Sequence, residues 1–289
     1  MRKNLIYILI TIVCLLLLIL ILFEPIRAMI NEYQFKKRLT REKLIDYESK
    51  LSIYDFMSDN HHFKKGLIKF EWENYIGAIQ EFSEAINLNK NNSEYYFQRG
   101  NTIAYLGYKS DHTRGFKRAL RDLDKAIKLN PNYGDAFEIR GYLKHKLNDL
   151  KGAMSDLTKS IKMNNSNSAL GFDFRGRLKF DLEDFNGAID DFDKSIELGR
   201  ESYFSRGECY EKLNRYSAAI SDYKKYTELK PNDGEGFFKL GSMYIFKYNL
   251  DMQGNSYNLG DKSAGCSFLS KSGELGYEKA FESIRKYCN

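Results

Sequence analysis

Only three prolines occur in 289 residues, and no long run alternates apolar with polar side chains. Proline breaks helices and strict alternation marks strands, so both shortages point to an all-α body. Histidines number four: His61 and His62 are adjacent, while His112 and His145 stand apart. None has a Ser, Cys or carboxylate partner at a spacing that implies a triad or metal site. Cysteines also number four, without a C-x-x-C pair or a zinc-like His/Cys spacing. No glycine-rich loop of the phosphate-cradling kind is present. Charge of one sign is scarce too. Residues 1–58 hold nine Lys/Arg against six Asp/Glu, which leaves 36 against 33 for the remainder. So balanced a body argues against a nucleic-acid surface. The expectations are therefore no enzyme, no cofactor, no metal and no nucleic-acid partner.

What is abundant is apolar sequence at the start and aromatic sequence elsewhere. Leu5 to Phe23 run 19 residues without a charge, and 16 of them are Leu, Ile, Val or Phe. At about 1.5 Å per residue a helix of that length spans about 28 Å, close to the roughly 30 Å hydrocarbon core of a bilayer. Arg2 and Lys3 precede the run, as in a signal peptide. Its length exceeds the usual apolar core of such a peptide, and no small-x-small cleavage signature follows. Residues 1–23 are thus expected to be a single-pass transmembrane anchor. Arg27, Lys36, Lys37, Arg38, Arg41 and Lys43 follow it, against Arg2 and Lys3 before it. Positive-inside counting on those residues favours a cytoplasmic body, and the opposite orientation stays open because the cluster begins 13 residues past the span. Residues 24–58 place apolar side chains at three- and four-residue steps, from Ile26 and Met29 to Leu51 and Tyr54, the pattern of an amphipathic juxtamembrane helix.

From residue 59 onward a unit recurs. Its fullest copy is 200–233, where Gly207, Tyr210, Tyr216, Ala219, Tyr223 and Pro231 fall at positions 8, 11, 17, 20, 24 and 32 of a 34-residue frame. This resembles the tetratricopeptide (TPR) repeat, a helix-turn-helix hairpin stacked in tandem. Copies begin near 59, 93, 134, 169 and 200, and the first helix of a sixth begins at 234. Their anchoring glycines are Gly66, Gly100, Gly141, Gly176, Gly207 and Gly241; Ala78, Ala119, Ala153, Ala188 and Ala219 stand at position 20. The resemblance implies a right-handed α-solenoid over 59–247, preceded by the transmembrane helix. Residues 248–289 would supply a loop, from Tyr248 to Lys262, and closing helices similar to the terminal segment of some bacterial repeat proteins. Seven extra residues around Lys109 to Gly115 separate the helices of the second copy, and the fourth copy is three residues short.

An arginine precedes the glycine in four successive copies: Arg99, Arg140, Arg175 and Arg206. The same copies carry an aspartate at position 23: Asp122, Asp156, Asp191 and Asp222. The first copy keeps the signs with Lys65 and Glu81. Matching acids favour a repeated ion pair between the two helices of a hairpin over a row of anion binders. Cys14 and Cys209 are expected as apolar fillers. The two terminal helices could bring Cys266 and Cys288 together, and a disulfide between them is open only if that end lies in an oxidising compartment.

In TPR arrays the first helix of each hairpin lines a concave groove, with positions 2, 5, 9, 12 and 13 facing inward. Carried onto this frame they include Asn101, Tyr105, Glu138, Tyr142, His145, Asp173, Arg177, Phe204 and Glu208, with Phe63, Leu67, Phe70, Phe97 and Phe180 beside them. Aromatic faces among a few polar groups suit a peptide or partner helix. The family's clamp for chaperone C-termini is not expected, because position 9 runs Leu67, Asn101, Tyr142, Arg177 and only Asn101 matches. The expected function is a non-enzymatic scaffold tethered by residues 5–23. The alternative is a self-assembling structural component, hence a homo-oligomer, with no separate client.

Overall fold

A computed structural model describes residues 58–110, 113–164, 167–253 and 259–288. The predicted span at 5–23 and the juxtamembrane segment up to residue 57 lie outside them. Among the described residues no helix is long and apolar enough to cross a membrane. Those residues form thirteen α-helices and no strand: α1 (Asp59–Glu71), α2 (Tyr75–Leu88), α3 (Ser93–Ser110), α4 (Thr113–Leu129), α5 (Gly134–Lys146), α6 (Leu150–Met163), α7 (Ala169–Asp181), α8 (Phe185–Glu197), α9 (Tyr203–Lys212), α10 (Tyr216–Leu229), α11 (Gly234–Gln253), α12 (Leu259–Glu274) and α13 (Lys279–Tyr287). The chain forms two compact units that divide after Asp122, within α4.

Local chemistry sets where each helix begins. Ser58, Asn74, Asp149, Ser168 and Asp184 each accept a hydrogen bond from the backbone N–H three residues on, which satisfies a donor the first turn would otherwise orphan. The turn inside a hairpin has one recurring geometry. Glu73, Asn148, Glu183 and Asn214 take φ of 59°, 65°, 61° and 56°, and all four stand at position 15 of their copies. The chain closes there with paired backbone bonds, as in Glu73 N to Phe70 O at 2.9 Å and Asn74 N to Lys69 O at 3.0 Å. A left-handed residue at this point ends the first helix and reverses the chain.

Packing explains the frame. The position-20 alanines and the position-24 residues Phe82, Leu123, Leu157, Phe192 and Tyr223 have no accessible surface. At Gly66, Gly141, Gly176 and Gly207 the large side chain at position 24 fills the space that the position-8 glycine leaves open. At Gly176 a Cβ would lie 2.8 Å from the Phe192 ring. In the second unit each helix packs on the next from α5 to α13, and the first helix α5 also touches α7 directly. A hairpin that cannot bury both its faces alone does so against its neighbours.

Three local expectations are corrected or refined. Of the seven extra residues of the second copy, Lys109 and Ser110 lie in α3 and Thr113 to Gly115 in α4, which run to 18 and 17 residues, while 111 and 112 lie outside the described residues. The loop expected from Tyr248 to Lys262 is largely helical, because α11 continues to Gln253 and α12 begins at Leu259. Its Asn, Gly and Asp content suggested a turn, yet helix propensity costs of a few tenths of a kcal/mol per residue are overridden by packing of α11 on α12. The disulfide left open is formed: Cys266 and Cys288 are bonded across 22 residues and fasten the end of α13 to α12. Cys209 is free and wholly buried, and burial pushes its thiol up to about 12, so it is an inert filler.

Candidate functional site

The arginine ladder is structural. Arg99, Arg140, Arg175 and Arg206 each place Nε and Nη2 on the two oxygens of Asp122, Asp156, Asp191 and Asp222, at 2.6–2.8 Å. Such a fork is planar and directional. The remaining Nη1 reaches back to the preceding hairpin: Ser83 at 3.2 Å, Asp124 at 2.7 Å, Thr158 at 3.5 Å and Asp193 at 2.5 Å. All four of these partners stand at position 25. One side chain therefore binds the helices of its own hairpin and ties that hairpin to its neighbour. The hydrogen bond to Asp222 leads in holding the Arg206 guanidinium well above its ordinary range, so this group stays charged.

With the ladder consumed by structure, the candidate binding face is made by the first helices. In the first unit Asn101 is half-buried, and Tyr105 is 42 % exposed with its ring 4.9 Å from Tyr75 and 6.0 Å from Phe70. In the second unit Tyr142 stacks on Phe174 at 4.5 Å with Lys146 over its ring at 5.7 Å. His145 Nε2 meets Asp181 at 2.7 Å, and α7 thus braces α5 at that point. Phe204 packs against Tyr223 and Tyr226, at 5.6 and 4.9 Å, and Glu208 is half-buried 3.5 Å from Lys239. Burial is the leading influence on the Glu208 carboxyl and raises it above the usual range.

Two of the expected groove residues are buried instead of facing solvent. Glu138 accepts a hydrogen bond from Ser168 Oγ at the start of the next hairpin, and burial raises its carboxyl. Asp173 is 1 % exposed and takes the same role one hairpin later, accepting from Ser202 Oγ at 2.7 Å. Both stand at position 5, where the other copies have phenylalanine: Phe63, Phe97, Phe204 and Phe238. An acid there is matched by a serine opening the next hairpin, so a polar link replaces an aromatic contact. Position spacing alone placed them in the groove; the signal that distinguishes them is the paired serine. Arg177, on the same helix, is 52 % exposed and donates Nε to Asp173 at 2.9 Å. Among the described residues no group of three His, Cys, Asp or Glu side chains is arranged to hold a metal ion.

The tetratricopeptide repeat profile matches residues 200–233, the copy in which every anchor is present. Residues 200–233 are thus a tetratricopeptide repeat, and the hairpins before it share its frame. Over 141 residues, 47% of this chain and 24% of that protein, it is 27% identical to the DnaJ homolog subfamily C member 7 homolog of Dictyostelium discoideum. The chain thus spans about a quarter of that relative's length. Among solved structures, the Cut9–Hcn1 hetero-tetramer of the APC/C is similar at a TM-score of 0.66 and 15% identity, over 89% of this chain and 46% of that one. YrrB, a TPR protein with an unusual peptide-binding site, is similar at a TM-score of 0.53 and 20% identity, over 71% of this chain and 97% of that one. At those identities the structural likeness is one of fold, a succession of TPR hairpins. Tetratricopeptide repeats generally mediate protein–protein interaction through the extended surfaces their stacking creates.

Proposed function

We propose that the chain is a membrane-tethered, non-enzymatic scaffold that binds a peptide or partner protein on the face made by its first helices. The observation that carries this is a division of labour in the second unit. The ladder arginines are spent on structure, whereas Tyr142 and Arg177, on the successive first helices α5 and α7, keep solvent access. Stacked aromatic rings beside hydrogen-bonding groups provide contact area at low entropic cost, which suits an extended peptide or a helix face. The unusual peptide-binding site of YrrB is a property of that protein; it supports the same use of the fold here. The test is a pull-down from native membrane with Tyr142→Ala and Arg177→Glu combined. Loss of partners retained by the unaltered chain is expected, and full retention of them would remove the binding-face assignment.

The anchor at residues 5–23 holds the scaffold at the bilayer. Two features pull in opposite directions on its side. Positive-inside counting favours the cytoplasm, but the basic cluster begins 13 residues past the span. A disulfide persists in oxidising compartments and is rare in the cytosol. The Cys266–Cys288 bond supports a body on the oxidising side of the membrane. Protease protection on sealed vesicles distinguishes the two sides.

A further inference from the structure

Among the described second helices arginine occurs on α4 alone, where Arg114, Arg118 and Arg121 are joined by Lys117. All four side chains are exposed, and none has an ion-pair or hydrogen-bond partner among the described residues. With about 3.6 residues to the turn they fall within an arc of about 100°, over about 10 Å of helix. Phe116 and Ala119 occupy the opposite side and are buried. The acids that follow are already engaged: Asp122 is buried in the Arg99 fork, and Asp124 is paired with Arg140 at 2.7 Å. Four cations therefore stand in file with no anion of their own.

The other second helix of the first unit, α2, has no lysine or arginine and adds apolar surface instead. Ile76 and Leu88 are 65% and 55% exposed, and Glu84 is the single exposed acid on that helix. Arg99 of α3 ties the two helices together, forking onto Asp122 of α4 and donating to Ser83 of α2 at 3.2 Å. We propose that the second-helix side of the first unit docks on the anionic headgroups of the bilayer, with the α4 stripe as its contact. Cations beside exposed aliphatic side chains suit that interface, which offers headgroup charge and acyl boundary together. A nucleic-acid strand would call for rings to stack on, and no aromatic side chain stands on the exposed face of α4.

The proposal rests on the tether read at residues 5–23, which makes the bilayer the polyanion held nearest. Residues 24–58 separate that span from α1, 35 residues in all. A helix of that length reaches about 52 Å and extended chain about twice that, so the first unit stays at high effective concentration near the surface. Each Lys or Arg close to an anionic surface shifts partitioning about fivefold, and the attraction fades over a screening length of about 10 Å, so the stripe must act in contact. Docking by this side leaves Asn101 and Tyr105, on the first helix α3, free for a partner.

The test uses the full chain in vesicles of phosphatidylcholine with or without phosphatidylglycerol, labelled by a membrane-impermeant amine-reactive ester and read by peptide mass spectrometry. The measured quantity is labelling of Lys117 relative to Lys151, an exposed lysine of α6 in the second unit, so the fraction of outward-facing chains cancels. Phosphatidylglycerol is expected to lower that ratio about threefold or more, and molar salt to restore it. Combining Arg114→Gln, Arg118→Gln and Arg121→Gln should abolish the protection, while thermal melting shows an unchanged fold. An unchanged ratio overturns the proposal. So does protection that survives in the triple variant, since the vesicle's field would then be repelling the reagent. Equal protection by soluble polyglutamate or a DNA duplex in phosphatidylcholine vesicles would make the stripe a general anion binder and overturn the lipid claim. Protection that grows with protein density in those vesicles would assign the face to a second copy and overturn it too. Alkaline carbonate extraction separates docking from anchoring. A chain that resists extraction with Lys117 fully labelled keeps the anchor and loses the docking face; one that is extracted yet protected keeps the docking face and loses the anchor.

Discussion

Lys179 and Arg175 grip Asp191 together: the lysine Nζ lies 2.8 Å from Oδ2 and the arginine forks across both oxygens. Lys144 braces Asp156 in the same way at 2.7 Å, and Lys69 braces Glu81 at 2.6 Å. In the second and fifth copies the equivalent position 11 is Ile103 or Tyr210, and the aspartate depends on its arginine alone among the described charges.

That difference predicts unequal costs. Arg206→Ala strands Asp222, which is 4% exposed, and should lower stability by about 3–5 kcal/mol. Arg175→Ala leaves Asp191 with Lys179 and should cost clearly less. Chemical denaturation of the two variants makes the comparison, and equal losses would show that the lysine brace contributes nothing.

Burial of Glu138 predicts a pH effect of definite sign. Its folded carboxyl is raised, so the native state binds the proton more tightly than the unfolded chain, and ionisation opposes folding at neutral pH. Glu138→Gln should therefore stabilise the protein near pH 7. As pH falls toward the ordinary glutamate value of about 4.3, native Glu138 takes up its proton and the advantage should shrink to nothing. Melting curves from pH 7 to pH 4 follow the gap between the two proteins.

At Gly241 a Cβ would lie 2.8 Å from the carbonyl oxygen of Gly265, a backbone atom of α12. At Gly207 the obstacle is the Tyr223 ring at 2.9 Å, part of a side chain. Overpacking of this kind costs about 1–3 kcal/mol, and rigid backbone cannot turn aside. Gly241→Ala is expected at the upper end or beyond and Gly207→Ala nearer the lower, as measured by denaturant midpoints.

The Cys266–Cys288 bond closes a loop of 22 residues and should contribute about 2–4 kcal/mol to holding the C-terminal helices. Cys288→Ser should expose α13 to proteolysis ahead of the rest of the chain. Protein taken from its native membrane with free thiols blocked should gain two reactive thiols only after reduction and denaturation, apart from Cys14 and Cys209. Blocked thiols at both positions without reduction would place this end in a reducing compartment.

Much of the hairpin frame was legible because small and large residues recur at a fixed period, and only close helix crossings require that. The Arg–Asp forks were legible for the same reason: opposite charges repeated in step. The second partner of each arginine was not, since Ser83, Asp124, Thr158 and Asp193 share a position but no single chemistry. Neither was the left-handed turn, where Asn148 and Asn214 fit the conformation but Glu73 and Glu183 give no such signal. The inward-facing positions grouped Tyr142 and Arg177 with Glu138 and Asp173, and only the serines of the next hairpins tell the two buried acids apart.

The claim on which the functional account depends is that partners meet the first-helix face. A photo-crosslinking residue placed at Tyr142 in the full chain, in its native membrane, tests it most directly against the same residue at Asp190, exposed on the second helix α8. Adducts to another protein from position 142 and none from position 190 are predicted. Adducts from position 190 alone would contradict the account.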